Sequence, residues 1–440
     1  MFYFSHQHPI SKRYCYRVSD EDIISSLLQW AQNFPLISYY NSNAYYDNLE
    51  SSFHYHKYEY ILGFSFSKEK TLQVADYEQL NNYLRDNTDW LLGYLSYDLK
   101  NEFYNLNSKN IDNVNFDNLF FFSPDMVLYK TIKGNILLES KEKIEAELLY
   151  KTIKETDIRS TKSKIKAKIN SRFSRQEYLE TVNKIKDEIQ NGNVYELNFC
   201  QEFYGQQIDI NPLETYKSLV SLSPTPFSAF FKQENHFLIS ASPERYLTKR
   251  GTKAVSQPIK GTIRKDSKPE IDKKLIAQLK NNPKERAENI MIVDLVRNDL
   301  SQTAQKDSVC VEELCGIYPF NQLHQMISTV SSVLRDDKNA LDLIQSSFPM
   351  GSMTGAPKLR AMELIEKYEK TKRGIYSGSV GYFEPNGDFD FNVVIRSILY
   401  NQDNKYLSFS VGSAITIQSD AEQEYDECLL KAEAIRAILL

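Results

Sequence analysis

Residues 378–400, "GSVGYFEPNGDFDFNVVIRSILY", and residues 405–416, "KYLSFSVGSAIT", leave this chain few architectures. Two apolar and aromatic runs flank Asn386-Gly387, a dipeptide suited to a hairpin turn, and a third such run follows, so the pattern predicts three antiparallel strands. Helices interrupt them. Residues 174–191 carry a capping box, Ser174 with Glu177, an apolar face of Tyr178, Val182, Ile185 and Ile189, and a terminating Gly192. The strand "VYELNFCQEF" comes next, and a last helix, residues 420–439, is opened by Ser419 and Glu422. Helices breaking into a largely antiparallel sheet predict an α+β fold.

At 440 residues the chain holds two or three core-forming units or one large interleaved domain. Its 41% hydrophobic and 25% charged residues are those of a globular protein, and a net charge of −5 excludes a nucleic-acid binder working through basic excess. No apolar run approaches the ~20 residues that span a bilayer, and the first residues show no secretion signal, so no membrane role and a cytoplasmic location are expected. Cys15, Cys200, Cys310, Cys315 and Cys428 are scattered without a CxxC pair and read as reduced packing residues. Residues 158–172, "IRSTKSKIKAKINSR", read as a linker or solvated edge strand between residues 1–157, an interleaved sheet scaffold, and residues 173–440, where the chemistry-bearing motifs crowd together.

"SQPIKGTIRK" sets Lys260 between an apolar segment and Gly261-Thr262, where a tight glycine turn is expected. Lysine resists burial, so its place here asks for a chemical reason. Two helices each carry a pair of glutamates at i, i+3: Glu285 with Glu288 after Pro283, beside Ile290, Met291, Val293 and Leu295, and Glu424 with Glu427 on the flank of the last helix. One such pair alone is ordinarily solvated surface. Two converging pairs would repel unless a cation neutralised them, and an all-oxygen set without His or Cys favours Mg²⁺.

"MGSMTGAPK" puts Gly351, Ser352, Thr354 and Gly355 just before Pro357, expected in the first turn of a helix, and free N–H groups with hydroxyls nearby suit a carboxylate. The spacing is not that of a P-loop. Arg396 offers bidentate geometry to the same anion, and Gly412 and Ser413 let backbone donors approach a ligand.

Together "GNVYELNFCQ", "SASPERY", "PIKGT", "ERAENIMIVDLVRNDLS", "GSMTGAPK", "RGIYSGSVGY", "FNVVIRS", "VGSAI" and "AEQEYDECLLKA" resemble the chorismate-utilising enzymes over residues 174–440, with a looser match before them. The resemblance implies two large, mainly antiparallel sheets with helices outside. It implies Glu288 and Glu427 as Mg²⁺ ligands with Glu285 and Glu424 beside them. Thr354, Tyr376, Arg396, Gly412 and Ser413 would grip the carboxylates of chorismate, and Glu244 would protonate the departing C4 hydroxyl.

Lysine at position 260 is similar to the branch that aminates C4: it would attack C2, and ammonia would then add at C4 and expel it. Gly261 and Thr262 would let the substrate come close. A neutral amine is required, and burial beside Mg²⁺ is expected to bring its pKa down from ~10.4 toward ~7–8. Glu196 stands where many aminating relatives have glutamine and hydrating relatives have lysine; it argues against hydration and is placed with the catalytic residues as a group that steers ammonia or ammonium. Gln325 stands where histidine is frequent. No Gly-x-Cys-x-Gly elbow is present, so a separate glutamine amidotransferase subunit is expected to supply ammonia. The alternatives are amination at C2 with loss of pyruvate, and a non-catalytic chorismate- or tryptophan-binding relative.

Overall fold

The computed structural model describes residues 1–45, 55–156, 167–321 and 323–439. Among them two sheets, of 13 and 10 strands, are built from antiparallel pairs. Each sheet draws on both halves of the sequence. In the larger, Leu36–Asn41 pairs with Phe227–Gln233; in the smaller, Leu91–Leu95 pairs with Ser379–Phe383. Of the basic stretch, residues 158–166 lie outside the described residues, and Asn170–Ser171 forms a two-residue edge strand on Phe203 and Tyr204.

Side chains along a strand alternate between faces, and both faces of the larger sheet are buried. From Phe227–Gln233, Phe231 meets Tyr94 and Phe122 of the smaller sheet, with ring centroids 5.3 and 6.2 Å apart. Phe230, one residue earlier, meets Tyr216 of the helix Pro212–Leu222 at 5.7 Å. One core therefore fills the space between the sheets and a second lies between the larger sheet and its helices.

The helix Arg175–Gln190 forms as its sequence predicts. Ser174 and Glu177 exchange capping hydrogen bonds, Tyr178, Val182 and Ile185 are buried, and Gly192 takes a φ of +77°. Two other helices differ from expectation, one in the face it buries and one in its first residue. Pro283–Ser301 is capped by Asn282, and it buries Ile292, Val293, Val296 and Leu300 while Ile290 is 38% exposed. Ala421–Leu439 is capped by Asp420, which accepts from the Gln423 amide at 3.0 Å, because the Ser419 hydroxyl is taken by the Thr416 amide.

The Asn386-Gly387 hairpin is present, with Gly387 at φ +78° and Gly381 opposite Phe391. The apolar run beyond it is not one strand. Phe389–Asn392 belongs to the smaller sheet and Ser397–Asn401 to the larger, with residues 393–396 crossing between them. A run that is apolar on both faces carries no mark of the sheet it enters. Arg396 makes the crossing in a left-handed conformation, φ +53°, which is uncommon outside glycine.

Candidate active site

A cavity of about 320 Å³ opens where the two sheets meet the helices Pro283–Ser301 and Ala421–Leu439. That is within the range of small-molecule sites. Lys260 reaches it from Ile259–Arg264, at the edge of the smaller sheet. In place of the expected tight turn, Gly261, at φ +96°, lies in a register shift between Ile259 and Thr262. A bulge of this kind re-aims a side chain, and here it sends Lys260 inward. A Cβ on Gly261 would stand 3.0 Å from Glu285 Oε2, so a side chain there would press on the first glutamate pair. Thr262 also lines the cavity.

The Lys260 side chain is 12% exposed, and its Nζ donates to Glu196 Oε1 at 3.2 Å. Burial pulls its pKa down, but Glu196, Glu288 and Glu244 outweigh burial and hold it above the ordinary lysine value. This corrects the expected depression: desolvation is present, and three carboxylates overcome it. Glu196, 1% exposed, begins the strand Glu196–Gly205 directly behind the lysine, and its Oε2 is buried without a hydrogen-bond partner. Glu244 is 4% exposed; burial pushes its carboxyl up to about 7 against the pull of Ser352, Lys260 and the Ile259 amide. A carboxyl titrating there is a proton donor at neutral pH.

The two glutamate pairs converge. Lys284 Nζ lies 3.9 Å from Glu288 Oε1 and 3.7 Å from Glu424 Oε1, so one ammonium joins the two helices, and Glu285 and Glu427 line the same cavity. Glu424 is itself buried at 3% exposure. Burial pushes Glu288 up to about 7 and raises Glu285, whereas Lys431, 2.6 Å from Glu427 Oε1, lowers Glu427. Burial disfavours the Lys284 charge, yet the four glutamates together raise its pKa. Among the described residues no three His, Cys, Asp or Glu side chains are placed to hold a metal ion. Glu288 Oε1 nonetheless has no hydrogen-bond partner, and an all-oxygen donor set suits a hard cation bound through two carboxylates, substrate oxygens and water.

The residues expected to bind an anion divide. Arg396 lines the cavity from the crossing segment, and one of its terminal nitrogens donates to the Lys431 carbonyl at 3.3 Å. Burial lowers the pKa of a guanidinium that still has donors to offer. Tyr376, Gly412 and Ser413 line the same wall, and a Cβ on Gly412 would meet Cys200 Sγ at 2.4 Å.

Thr354 does not line the cavity. Its hydroxyl is turned into its own loop, donating to the Met350 carbonyl at 3.3 Å, while Ser352 and Met353 face the cavity instead. The helix starts at Lys358, with Pro357 as cap residue rather than in the first turn. Lys358 leaves the cavity altogether to pair with Asp299 at 2.7 Å. Arg373 fixes the loop to the adjoining strand, donating to the Met353 and Asn198 carbonyls at 2.6 and 2.7 Å.

Lys284, Lys431 and Asn198 line the cavity without having been assigned there from sequence. The first two follow by i, i+4 logic from Glu288 and Glu427, and Asn198 shares a strand face with Glu196, so spacing held a usable signal. Gln325 is also on the wall, with its Oε1 buried and unpartnered.

Residues 39–437 match the model of the chorismate binding enzyme family. The chain belongs to that family. It is 40% identical over 264 residues to "Aminodeoxychorismate synthase, chloroplastic" of Arabidopsis thaliana, a match covering 59% of this chain and 28% of the relative. It is 31% identical over 383 residues to "Aminodeoxychorismate synthase component 1" of Bacillus subtilis, covering 84% of this chain and 80% of the relative. The chain thus spans under a third of the plant relative and most of the bacterial one. Anthranilate synthase component I of Streptococcus pneumoniae superposes with a TM-score of 0.72 at 23% identity, over 88% of this chain and 93% of that one, which shows the shared fold.

Proposed function

We propose that this chain is the chorismate-aminating component of an aminodeoxychorismate synthase, adding ammonia at C4 of chorismate to give 4-amino-4-deoxychorismate for para-aminobenzoate and folate synthesis. The observation that carries the proposal is a lysine in a small buried cavity, hydrogen-bonded to one carboxylate and beside a second whose carboxyl titrates at about 7. The names of the Arabidopsis and Bacillus relatives support the same reading.

In this mechanism Arg396, Tyr376 and the backbone at Gly412 and Ser413 bind the substrate carboxylates and fix the ring over Lys260. Lys260 Nζ forms a bond to C2, the ring double bonds shift, and the C4–O bond breaks as Glu244 delivers its proton to the departing oxygen. Ammonia then adds at C4 and the bond to Lys260 breaks. Glu288 and Glu427, with Glu285 and Glu424 beside them, would hold Mg²⁺, which when bound neutralises the ring carboxylate and offsets the crowding of acidic groups. The ammonia would come from a separate glutamine amidotransferase subunit.

Chorismate, ammonium and Mg²⁺ with the purified chain test the reading. The expected product is 4-amino-4-deoxychorismate, and direct release of anthranilate would replace the proposal with amination at C2. Lys260→Ala is expected to reduce turnover to background while chorismate still binds. Glutamine should not serve as nitrogen source for the chain alone; hydrolysis of glutamine by the purified chain would remove the separate subunit.

A further inference from the structure

Resting on that reading, the structure poses a proton problem the scheme above leaves open. Lys260 Nζ is paired with the Glu196 carboxylate at 3.2 Å, and an ammonium in such a pair has no lone pair with which to attack carbon. Its proton needs an acceptor inside the site. Glu244 is unsuited, because it has to hold a proton for the C4 oxygen. Glu288 makes no hydrogen bond to Lys260 among the described residues and lies 3.9 Å from Lys284 Nζ instead. Glu196 remains, and three features fit it for the task. Its Oε1 is 3.2 Å from Nζ. It lies behind the lysine rather than on the cavity wall, so substrate does not compete for it. Its backbone is clamped: Glu196 pairs with Ala356, and a Cβ on Gly355 would stand 2.2 Å from the Glu196 carbonyl oxygen, so the carboxylate cannot be carried away from the amine without disturbing that pairing.

We propose that Glu196 is a catalytic residue, the internal base that takes a proton from Lys260 before attack and returns it when the lysine is expelled. A proton passes from Nζ to a Glu196 oxygen; the freed lone pair bonds to C2; the C4–O bond breaks and the oxygen leaves as water with the proton from Glu244. After ammonia has added at C4, the C2–N bond breaks, its electron pair returns to Nζ, and Nζ recovers the proton stored on Glu196. Glu244 is recharged by the ammonium ion from which the ammonia derives, so the sum is chorismate plus ammonium giving aminated product plus water.

The experiment follows formation of the Lys260 adduct by mass spectrometry in a single turnover with chorismate and Mg²⁺ and no ammonium. Glu196→Gln keeps the shape and a hydrogen-bonding group but cannot accept a proton. Adduct formation is expected to slow by ~10²- to 10⁴-fold, with chorismate affinity and circular dichroism unchanged. Glu196→Asp, which keeps an acceptor on a shorter arm, should recover part of the loss. If Glu196 only pins the amine in its charged form, Glu196→Gln would free it, and an adduct rate equal to or above that of the parent overturns the proposal. Should the Gln variant not fold, an Asp variant as fast as the parent has the same force. A parent chain that forms no Lys260 adduct removes the underlying reading; a parent that forms it with Glu196→Gln keeping pace removes this inference alone.

Discussion

Glu244 shows how burial sets both chemistry and stability. Its carboxyl, pushed to about 7, is a proton donor below that pH, so amination at saturating substrate should decline as pH rises through 7. Glu244→Gln should lower kcat by ~10²- to 10⁴-fold. The stability effect runs the other way. The folded-state pKa lies above the ~4.3 of an unfolded glutamate, so the contribution of this group to stability is complete below ~4.3 and is lost as pH rises to about 7. Thermal unfolding at pH 8 should therefore show Glu244→Gln to be at least as stable as the parent.

Lys284 offers a second test. Its charge is shared by all four glutamates, and Lys284→Met should tighten Mg²⁺ binding in calorimetric titration without substrate. The gain should be roughly tenfold, well short of the ~4 kcal/mol for a bare pair at 4 Å, because the side chain is 41% exposed and screened. At this scale the residue types were legible and their protonation was not. Desolvation of Lys260 can be foreseen from a lysine in an apolar segment, but the carboxylates that reverse its effect come from positions 196, 244 and 288, which only the fold brings together.

Among elements, the edge strand Ile259–Arg264 is constrained at Gly261. Gly261→Ala would add a Cβ 3.0 Å from Glu285 Oε2 and force a left-handed backbone on alanine, at a cost of roughly 1–2 kcal/mol. The expected result is a folded protein with weaker amination, seen as a fall in kcat at a nearly unchanged circular dichroism spectrum. The capping box at Ser174 and the Asn386-Gly387 hairpin could be read from sequence because each depends on contacts within a few residues. The division of residues 389–401 between two sheets could not, since it depends on which strands wait at either side. Thr354 was misplaced for a similar reason: the loop pattern suggests free hydroxyls, and the carbonyls of its own turn claim this one.

For the whole molecule, the pairing of Leu36–Asn41 with Phe227–Gln233 and of Leu91–Leu95 with Ser379–Phe383 means that residues 173–440 lack strands both sheets require. Expressed alone, that segment should give no cooperative thermal transition. The α+β class was evident from local patterns; the interleaving is a matter of distant strand partners, which no short stretch encodes. Lys260 rides on the 10-stranded sheet, whereas Glu196, Gly412 and Ser413 ride on the 13-stranded one, and the segment ending at Arg396 passes between them. The gap between Lys260 and the Gly412–Ser413 wall of the cavity is thus an inter-sheet dimension, and packing errors around Phe231 or Phe122, far from the cavity, would shift the amine relative to that wall by sliding one layer over the other.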